Sequence, residues 1–369
     1  MLVGVPKEIK AHEYRVGLTP SAVREYVAHG HNVLVETDAG AGIGASDDAY
    51  RTAGAEIAAD AAEVFAKSAM IIKVKEPQPS EWVQLREGQI LFTYLHLAPD
   101  PEQTKGLLAS GCTAVAYETV VDAKGGLPLL APMSEVAGRL SIEAAALALR
   151  RYNGGRGLLL GGVPGVAPAR VLVLGGGVVG TQAARMAVGL GAEVTILDRA
   201  ISRLRQLDDL FAGRVRTRYS TLAAIEEEIA GADVVIGAVL VPGASAPKLV
   251  SRAMLSRMKP RAVLVDVAID QGGCFETSRP TTHENPTFEV DGVIHYCVAN
   301  MPGAVPVTSS EALNNATLPY GLALADRGVD AIVEMPGLLE GLNVHAGKLT
   351  YKAVAESLGL PWTDLRSLR

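Results

Sequence analysis

Short runs of branched aliphatic residues recur along the chain, each followed by a longer Ala-rich stretch with polar residues on a helical period. LVGVP (2–6), HNVLVE (31–36), MIIKVKE (70–76), QILFTYLH (89–96) and TAVAYETV (113–120) form a first series. VLVLG (171–175), AEVTILD (192–198), VRTRYS (215–220), DVVIGAV (233–239), AVLVDVAI (262–269) and VIHYCVAN (293–300) form a second. Apolar runs this short predict strands, and their alternation with helices predicts α/β layering around parallel sheets. Local punctuation agrees. Thr19 reads as an N-cap with Pro20 in the first turn, Gly30 ends that helix, Asp60 caps the next, and Pro77 stops MIIKVKE.

Between the two series lie a Gly/Pro-containing loop at 122–133, a long helical pattern at 134–152 and a second Gly/Pro-rich stretch at 153–169. Beyond Pro302 the pattern turns helical, at 314–335 and 351–360, and this tail is expected to return to the first domain. The expected domains are therefore 1–128 with 306–369, and 129–305. The fold class is α/β: two Rossmann-like doubly wound parallel-sheet domains, with the active site in the cleft between them.

Composition narrows the function. At about 150 residues per domain, 369 residues suit two or three domains. Hydrophobic residues at 49% and charged residues at 20% exclude disorder. A net charge of -6 gives no global case for nucleic acid or an anionic membrane. No run reaches the roughly 18 apolar residues of a membrane span, and the start resembles no secretory signal. Cys112, Cys274 and Cys297 are too few and too scattered for a disulfide framework, which points to a reducing, cytoplasmic setting.

Gly175, Gly177 and Gly180 form G-x-G-x-x-G directly after one strand and at the start of a helix, and the next strand ends in Asp198. That context marks a dinucleotide site. The first glycine permits the turn, the second admits the pyrophosphate, the third packs helix on strand, and the helix N-terminus attracts phosphate. Asp198 suits the ribose hydroxyls of NAD and repels a 2′-phosphate, although Arg199 beside it could accommodate one.

Ligands of open parallel sheets sit beyond the carboxyl ends of the strands. Lys73 and Lys75 on MIIKVKE, His96 ending QILFTYLH, Asp270 after AVLVDVAI, Asn300 ending VIHYCVAN and Arg15 after the first strand all fall there. Arg15 offers a fork for a carboxylate. A lysine there can bond a carbonyl, His96 can act as general acid/base, and Asp270 can activate water or an amine. Taken singly, Lys75 could equally be a solvated strand-end charge and His96 a hydrogen-bonded structural residue.

From end to end the chain resembles the alanine dehydrogenase family. The likeness rests on GVPKEIKAHEYRVGLTP (4–20), IKVKEP (72–77), TYLHLA (93–98), APMSEVAGRLS (131–141), GGVPGV (161–166), VLGGGVVG (173–180), DVAIDQGG (266–273), TSRPTTHENP (277–286) and VANMPGAVP (298–306). It implies reversible oxidative deamination of L-alanine to pyruvate and ammonia with NAD as cofactor, no metal, no nucleic acid or membrane partner, and a homo-hexamer. By matching position, Arg15 and Lys75 would bind substrate, and His96, Asp270 and Lys75 would be catalytic. Cofactor roles fall to Ser134, Val178, Val179, Asp198, Arg203, Ser220, Val239, Leu240, Val267, Ala268, Ile269, Asp270, Arg279, Val298, Ala299, Asn300 and Met301, with the three glycines. Ser134 is equally readable as a helix N-cap. The NAD-binding subunit of proton-translocating transhydrogenase resembles the chain next, but it is not expected to carry Asp270 within DVAIDQGG, and it continues to, or pairs with, membrane segments.

Several patterns read as ordinary structure. GLNVHAGKLT (341–350) lacks phosphate-loop spacing. His29 and His31 read as a solvated turn, Arg214, Arg216 and Arg218 as a solvated strand edge, Glu226 to Glu228 as a solvated helix face, and Cys274 as a spectator.

Overall fold

The computed structural model describes residues 1–239 and 246–364. The chain divides into two compact units, Met1–Met133 with Gly303–Arg369, and Ser134–Pro302.

Unit 1 is built on strands β1 (Leu2–Val5), β2 (Asn32–Glu36), β3 (Glu56–Ala58), β4 (Met70–Ile72), β5 (Ile90–Thr93) and β6 (Thr113–Ala116). They pair in parallel in the order β3-β2-β1-β4-β5-β6. The order reverses between β1 and β4, which is the switch point of a doubly wound sheet. Leu34, Ile71, Leu91 and Ala114 form one buried layer with Val64, Phe65 and Leu107 of the covering helices. Each large side chain buried in this way contributes about 1.5–3 kcal/mol. Thr19 and Asp60 cap their helices through bonds to the backbone N–H groups of Ala22 and Glu63, as their spacing predicts.

Unit 2 opens its strands with β7 (Arg170–Leu174), β8 (Glu193–Asp198), β9 (Val215–Tyr219), β10 (Val234–Gly237) and β11 (Val263–Asp266), followed by β12 (Thr287–Val290) and β13 (Val293–Tyr296). The order β12-β13-β11-β10-β7-β8-β9 places the six parallel strands in the Rossmann arrangement. Both faces are covered. Val171, Val173, Val234 and Ile236 enter one apolar layer with Ala183 and Ala187, while Leu172, Leu174 and Val235 enter the opposite layer with Ile225 and Ile229. Period-two alternation between two buried faces explains why these strands read as uninterrupted apolar runs.

The structure amends the sequence reading at the sheet edges. β12 pairs antiparallel with β13. β14 (Leu342–His345) and β15 (Lys348–Leu349) form an antiparallel hairpin that adds β14 to β6. That hairpin is GLNVHAGKLT, whose turn residues Ala346 and Gly347 both have positive φ, the torsions of a two-residue type I′ turn. Val344, Leu349 and Val354 join the unit-1 core, so the tail does return to the first sheet.

Other boundaries shift. The linking helix spans Ala131–Ala148, so Ser134 lies inside its first turn and does not cap it. The next long helix begins earlier than its pattern suggested, at Pro306, and ends at Arg327 before Gly328. His31 is not solvated: it is buried, 2.9 Å from both Asp326 Oδ1 and the N-terminal amine. Arg216 and Arg218 do lie on the edge strand, but they pair with Glu227 and Glu228, and Glu228 is mostly covered.

Candidate active site

In unit 1 the candidate side chains collect where strand pairing stops. β4 ends at Ile72, so Lys73 and Lys75 sit in the segment that follows it and not on one strand face. Their environments differ sharply. Lys73 is fully buried, with Nζ 3.2 Å from Glu8 Oε2 and 2.6 Å from Glu81 Oε1. Burial works against its charge, but the two carboxylates prevail and raise its pKa. Glu8 Oε1 also accepts the N–H of Val74 at 2.7 Å and of Lys75 at 3.4 Å. Lys73 is therefore the buried post of this loop rather than a group offered to substrate.

Lys75 is half-buried, and its Nζ lies 3.9 Å from Glu76 Oε2. The same oxygen is 3.5 Å from His96 Nδ1, while Glu76 Oε1 accepts from Lys10. Burial alone would push the Glu76 carboxyl up. His96, Lys75 and Lys10 outweigh it and hold the acid well below the usual carboxylate range. Lys75 and His96 thus share one ionised carboxylate. The His96 ring stacks on Tyr94, 5.7 Å between centroids, and Tyr94 is tied through its hydroxyl to the Leu129 carbonyl at 2.6 Å. His96 itself has φ of 49°, a torsion that costs on the order of 1–3 kcal/mol in a non-glycine residue.

Arg15 is buried after β1, yet its fork is engaged. Nε and Nη2 donate to the two Glu13 oxygens at 2.6 and 2.5 Å, and Nη1 faces Met133 Sδ at 3.0 Å. The loop that carries it is held by the helix Pro306–Arg327: Ser310 accepts from Val16 N–H, and Asn314 bonds both Thr19 N–H and the Gly17 carbonyl.

In unit 2 the three glycines behave as their spacing requires. Gly175 has φ of 102° at the turn. A Cβ on Gly177 would meet nothing within 4 Å, so this face of the loop is open to a ligand. A Cβ on Gly180 would lie 1.8 Å from the Gly175 carbonyl oxygen, which shows how closely the helix Val178–Gly189 is seated. No side chain caps that helix, and Gly177 occupies its N-cap. Asp198 accepts from the N–H groups of Gly176 at 2.7 Å and Ala200 at 2.8 Å, and Arg203 donates to the Gly176 carbonyl at 2.6 Å. These features fit a dinucleotide: open backbone for the pyrophosphate, a helix N-terminus for its charge and a carboxylate for the ribose.

Asp270 is exposed in a short 3₁₀ turn, Ile269–Gln271, which Gly272 closes. The Asn300 N–H lies 3.4 Å from Asp270 Oδ2, so the ends of the β11 and β13 runs meet. Val298 and Met301 are buried beside Asn300, as are Ala268 and Ile269 beside Asp270, while Val267 and Ala299 are partly covered. Asp266, deep in β11, receives the Cys274 N–H and the Ser278 hydroxyl and shapes this loop. The Lys248 ammonium donates to the carbonyls of Gly272 and Gly273.

Other cofactor candidates are less directly placed. The Ser220 N–H donates to the Asp198 carbonyl. Val178 is exposed and Val179 half-buried at the helix start, and Val239 follows β10. The Arg279 guanidinium lies 4.2 Å from the Phe288 ring centroid. Leu240 lies outside the described residues. Cys274 is buried with its thiol pushed up to about 12, chiefly by burial, in keeping with a spectator. Among the described residues no cluster of three His, Cys, Asp or Glu could hold a metal. Likewise no helix there is long and apolar enough to cross a membrane.

Sequence reasoning missed the acids. Glu13, Glu76, Glu8 and Glu118 organise the cations and His96, and all lie in the same strand-end segments that singled out their partners. Applying the carboxyl-end rule to both signs of charge would have found them.

Family models match both parts of the chain: alanine dehydrogenase/PNT N-terminal domain over residues 4–137, and the C-terminal domain over 141–352. The chain belongs to the alanine dehydrogenase/PNT family. Within it, the chain is 61% identical to an alanine dehydrogenase of Halomonas elongata, covering all of both sequences. It is 54% identical to that of Mycobacterium tuberculosis, again over the whole of both. Among solved structures it is similar to an L-alanine dehydrogenase, with TM-score 0.94, 53% identity and coverage of 97% and 99%. A transhydrogenase from Sinorhizobium meliloti is more distant, with TM-score 0.81, 26% identity and coverage of 96% and 100%.

Proposed function

We propose that the protein is an NAD-dependent amino-acid dehydrogenase that interconverts L-alanine with pyruvate and ammonia. The observation that carries this reading is the grouping of Lys75, Glu76 and His96 at the strand ends of unit 1, in a chain alike over its full length to alanine dehydrogenases.

When bound, NAD would supply the acceptor for the α-hydrogen of alanine, which leaves as hydride. The protein's part is binding and proton handling. Arg15 and Lys75 place positive charge against the substrate carboxylate and carbonyl oxygen, with Glu13 fixing the guanidinium plane. Glu76, ionised, holds His96 and Lys75 to one side of their reach. His96 exchanges a proton with the developing oxygen as general acid/base, a role worth about 10²–10⁴ in rate. Asp270 takes a proton from the water that attacks the imine carbon, and Asn300 N–H orients its carboxylate. Gly175, Gly177, Gly180 and the N–H groups of Val178 and Val179 would hold the pyrophosphate, and Asp198 the ribose.

Ser134, Arg203, Ser220, Val239, Leu240, Val267, Ala268, Ile269, Arg279, Val298, Ala299 and Met301 are assigned to the cofactor by family position. A homo-hexamer rests on the family likeness. A cytoplasmic location rests on that likeness and on a sequence with only three widely spaced cysteines.

The test is an amino-acid panel assayed by NADH absorbance with the purified chain, NADP being the alternative cofactor. Alanine-dependent NADH formation is expected. NADH formed with no amino acid preferred, or none formed at all, would overturn the reading.

A further inference from the structure

His96 is presented by a strained backbone. A φ of 49° lies outside the region that ordinary side chains favour, and such a torsion persists only where its surroundings over-determine it. Glu118 bonds this turn directly. It sits in the 3₁₀ turn Tyr117–Thr119 directly after β6. One of its oxygens accepts the His96 N–H at 2.6 Å, and both lie 3.2 Å from the Leu95 nitrogen. From the other side, Gln103, itself fully buried, donates to the Leu95 carbonyl at 2.8 Å.

The position of these bonds matters. The parallel ladder between β5 and β6 runs from Ile90 opposite Thr113 to Thr93 opposite Ala116, so the strands are already joined where they are regular. The Glu118 carboxylate acts two residues beyond, where the ladder has stopped and the chain must turn. A carboxylate that gathers two successive N–H groups is a charge-assisted clamp, stronger than neutral bonding of the same geometry.

We propose that Glu118 is a positioning residue for His96: it locks the Leu95–His96 backbone in the left-handed turn that sets the imidazole against Tyr94 and Glu76. This rests on His96 being the acid/base. Loss of the clamp relaxes the turn, swings the ring off Tyr94, and costs turnover without touching the dinucleotide loop.

The experiment compares full-length Glu118→Gln and Glu118→Ala with wild type. It reads kcat and KM for alanine, NADH affinity by fluorescence, and the His96 ring-proton resonances, assigned by their disappearance in His96→Ala. The amide keeps an acceptor oxygen but not the charge, so Glu118→Gln should lower kcat about 5- to 10-fold. Glu118→Ala should lower it about 100-fold, the scale of a misplaced catalytic group. NADH affinity should stay within about two-fold, and the His96 resonances should move as the ring leaves Tyr94. In a His96→Ala background, Glu118→Ala should cause no further loss.

Wild-type kcat with unmoved His96 resonances in Glu118→Ala would overturn the proposal, as would an additive loss in the double variant. Should Glu118→Ala fail to fold, Glu118→Gln decides on the same readings. Full turnover in His96→Ala would instead remove the acid/base reading, and the resonances alone would then decide whether Glu118 sets the ring.

Discussion

Oε2 of Glu76 lies 3.5 Å from Nδ1 of His96, and the same oxygen faces Lys75 Nζ at 3.9 Å. One acid thus stands between the two groups that the chemistry needs. Burial pushes its pKa up, but the contacts with His96, Lys75 and Lys10 prevail and hold it well below the ordinary value of 4.5. A group depressed on folding contributes stability that is complete above its unfolded pKa and is lost as pH falls toward the folded one. Glu76→Gln should therefore lower stability at pH 7 by about 1–3 kcal/mol. The gap to wild type should shrink as pH drops from about 5 toward 2. Urea midpoints across that range check it. A gap that does not change with pH would mean that the ionised carboxylate is not the cause.

His96→Ala and Asp270→Ala should each remove at least about 10²-fold of turnover, and NADH binding should persist in His96→Ala, because His96 belongs to unit 1 and not to the glycine loop. Steady-state rates and NADH fluorescence separate the two effects. Rates like wild type in either variant would take that residue out of the mechanism.

The glycines Gly177 and Gly180 should fail in different ways. Gly177→Ala places a methyl in open space, so the protein should melt as wild type does but bind NADH more weakly, the methyl standing where the pyrophosphate approaches. Gly180→Ala drives its methyl into the Gly175 carbonyl and should destabilise the protein by about 1–3 kcal/mol. Thermal melts beside NADH titrations distinguish them, and equal melting temperatures would refute the packing role of Gly180.

Lys73→Met leaves Glu8 and Glu81 buried without their shared cation. Removing one partner of a buried ionic cluster typically costs about 3–5 kcal/mol. Denaturant midpoints should fall accordingly, and adding Glu8→Gln and Glu81→Gln should recover part of the loss. No fall in the single variant would show that the cluster is not held as ions.

The inner strands of both sheets were legible because they are covered on both faces, and burial on both faces writes an apolar run into the sequence. Val171 to Leu174 is such a run, and its residues alternate between two buried layers. The hairpin at 342–349 was not legible: it joins the sheet by pairing β14 with β6, more than 220 residues earlier in the chain. The glycine loop was legible because its geometry is local, with turn, helix start and next strand all within 24 residues, from Gly175 to Asp198. The unit-1 site was legible only in part. Arg15, Lys75 and His96 could be picked from strand ends, but Lys73, picked by the same rule, is a buried structural cation.

Periodicity and local caps determined, from the sequence alone, that this chain alternates strand and helix twice over, where the dinucleotide loop lies, and which cations and His fall at strand ends. Those properties depend on neighbours within a turn or a strand. Which acid neutralises which cation was decided only by tertiary structure. Glu8 reaches Lys73 across 65 residues, and Glu118 reaches His96 across 22. Ion pairs and clamps of this kind form between chain segments brought together by strand order, and no local pattern encodes that order. Burial then sets their strength, since a carboxylate removed from water takes its charge state from whichever partners the fold supplies.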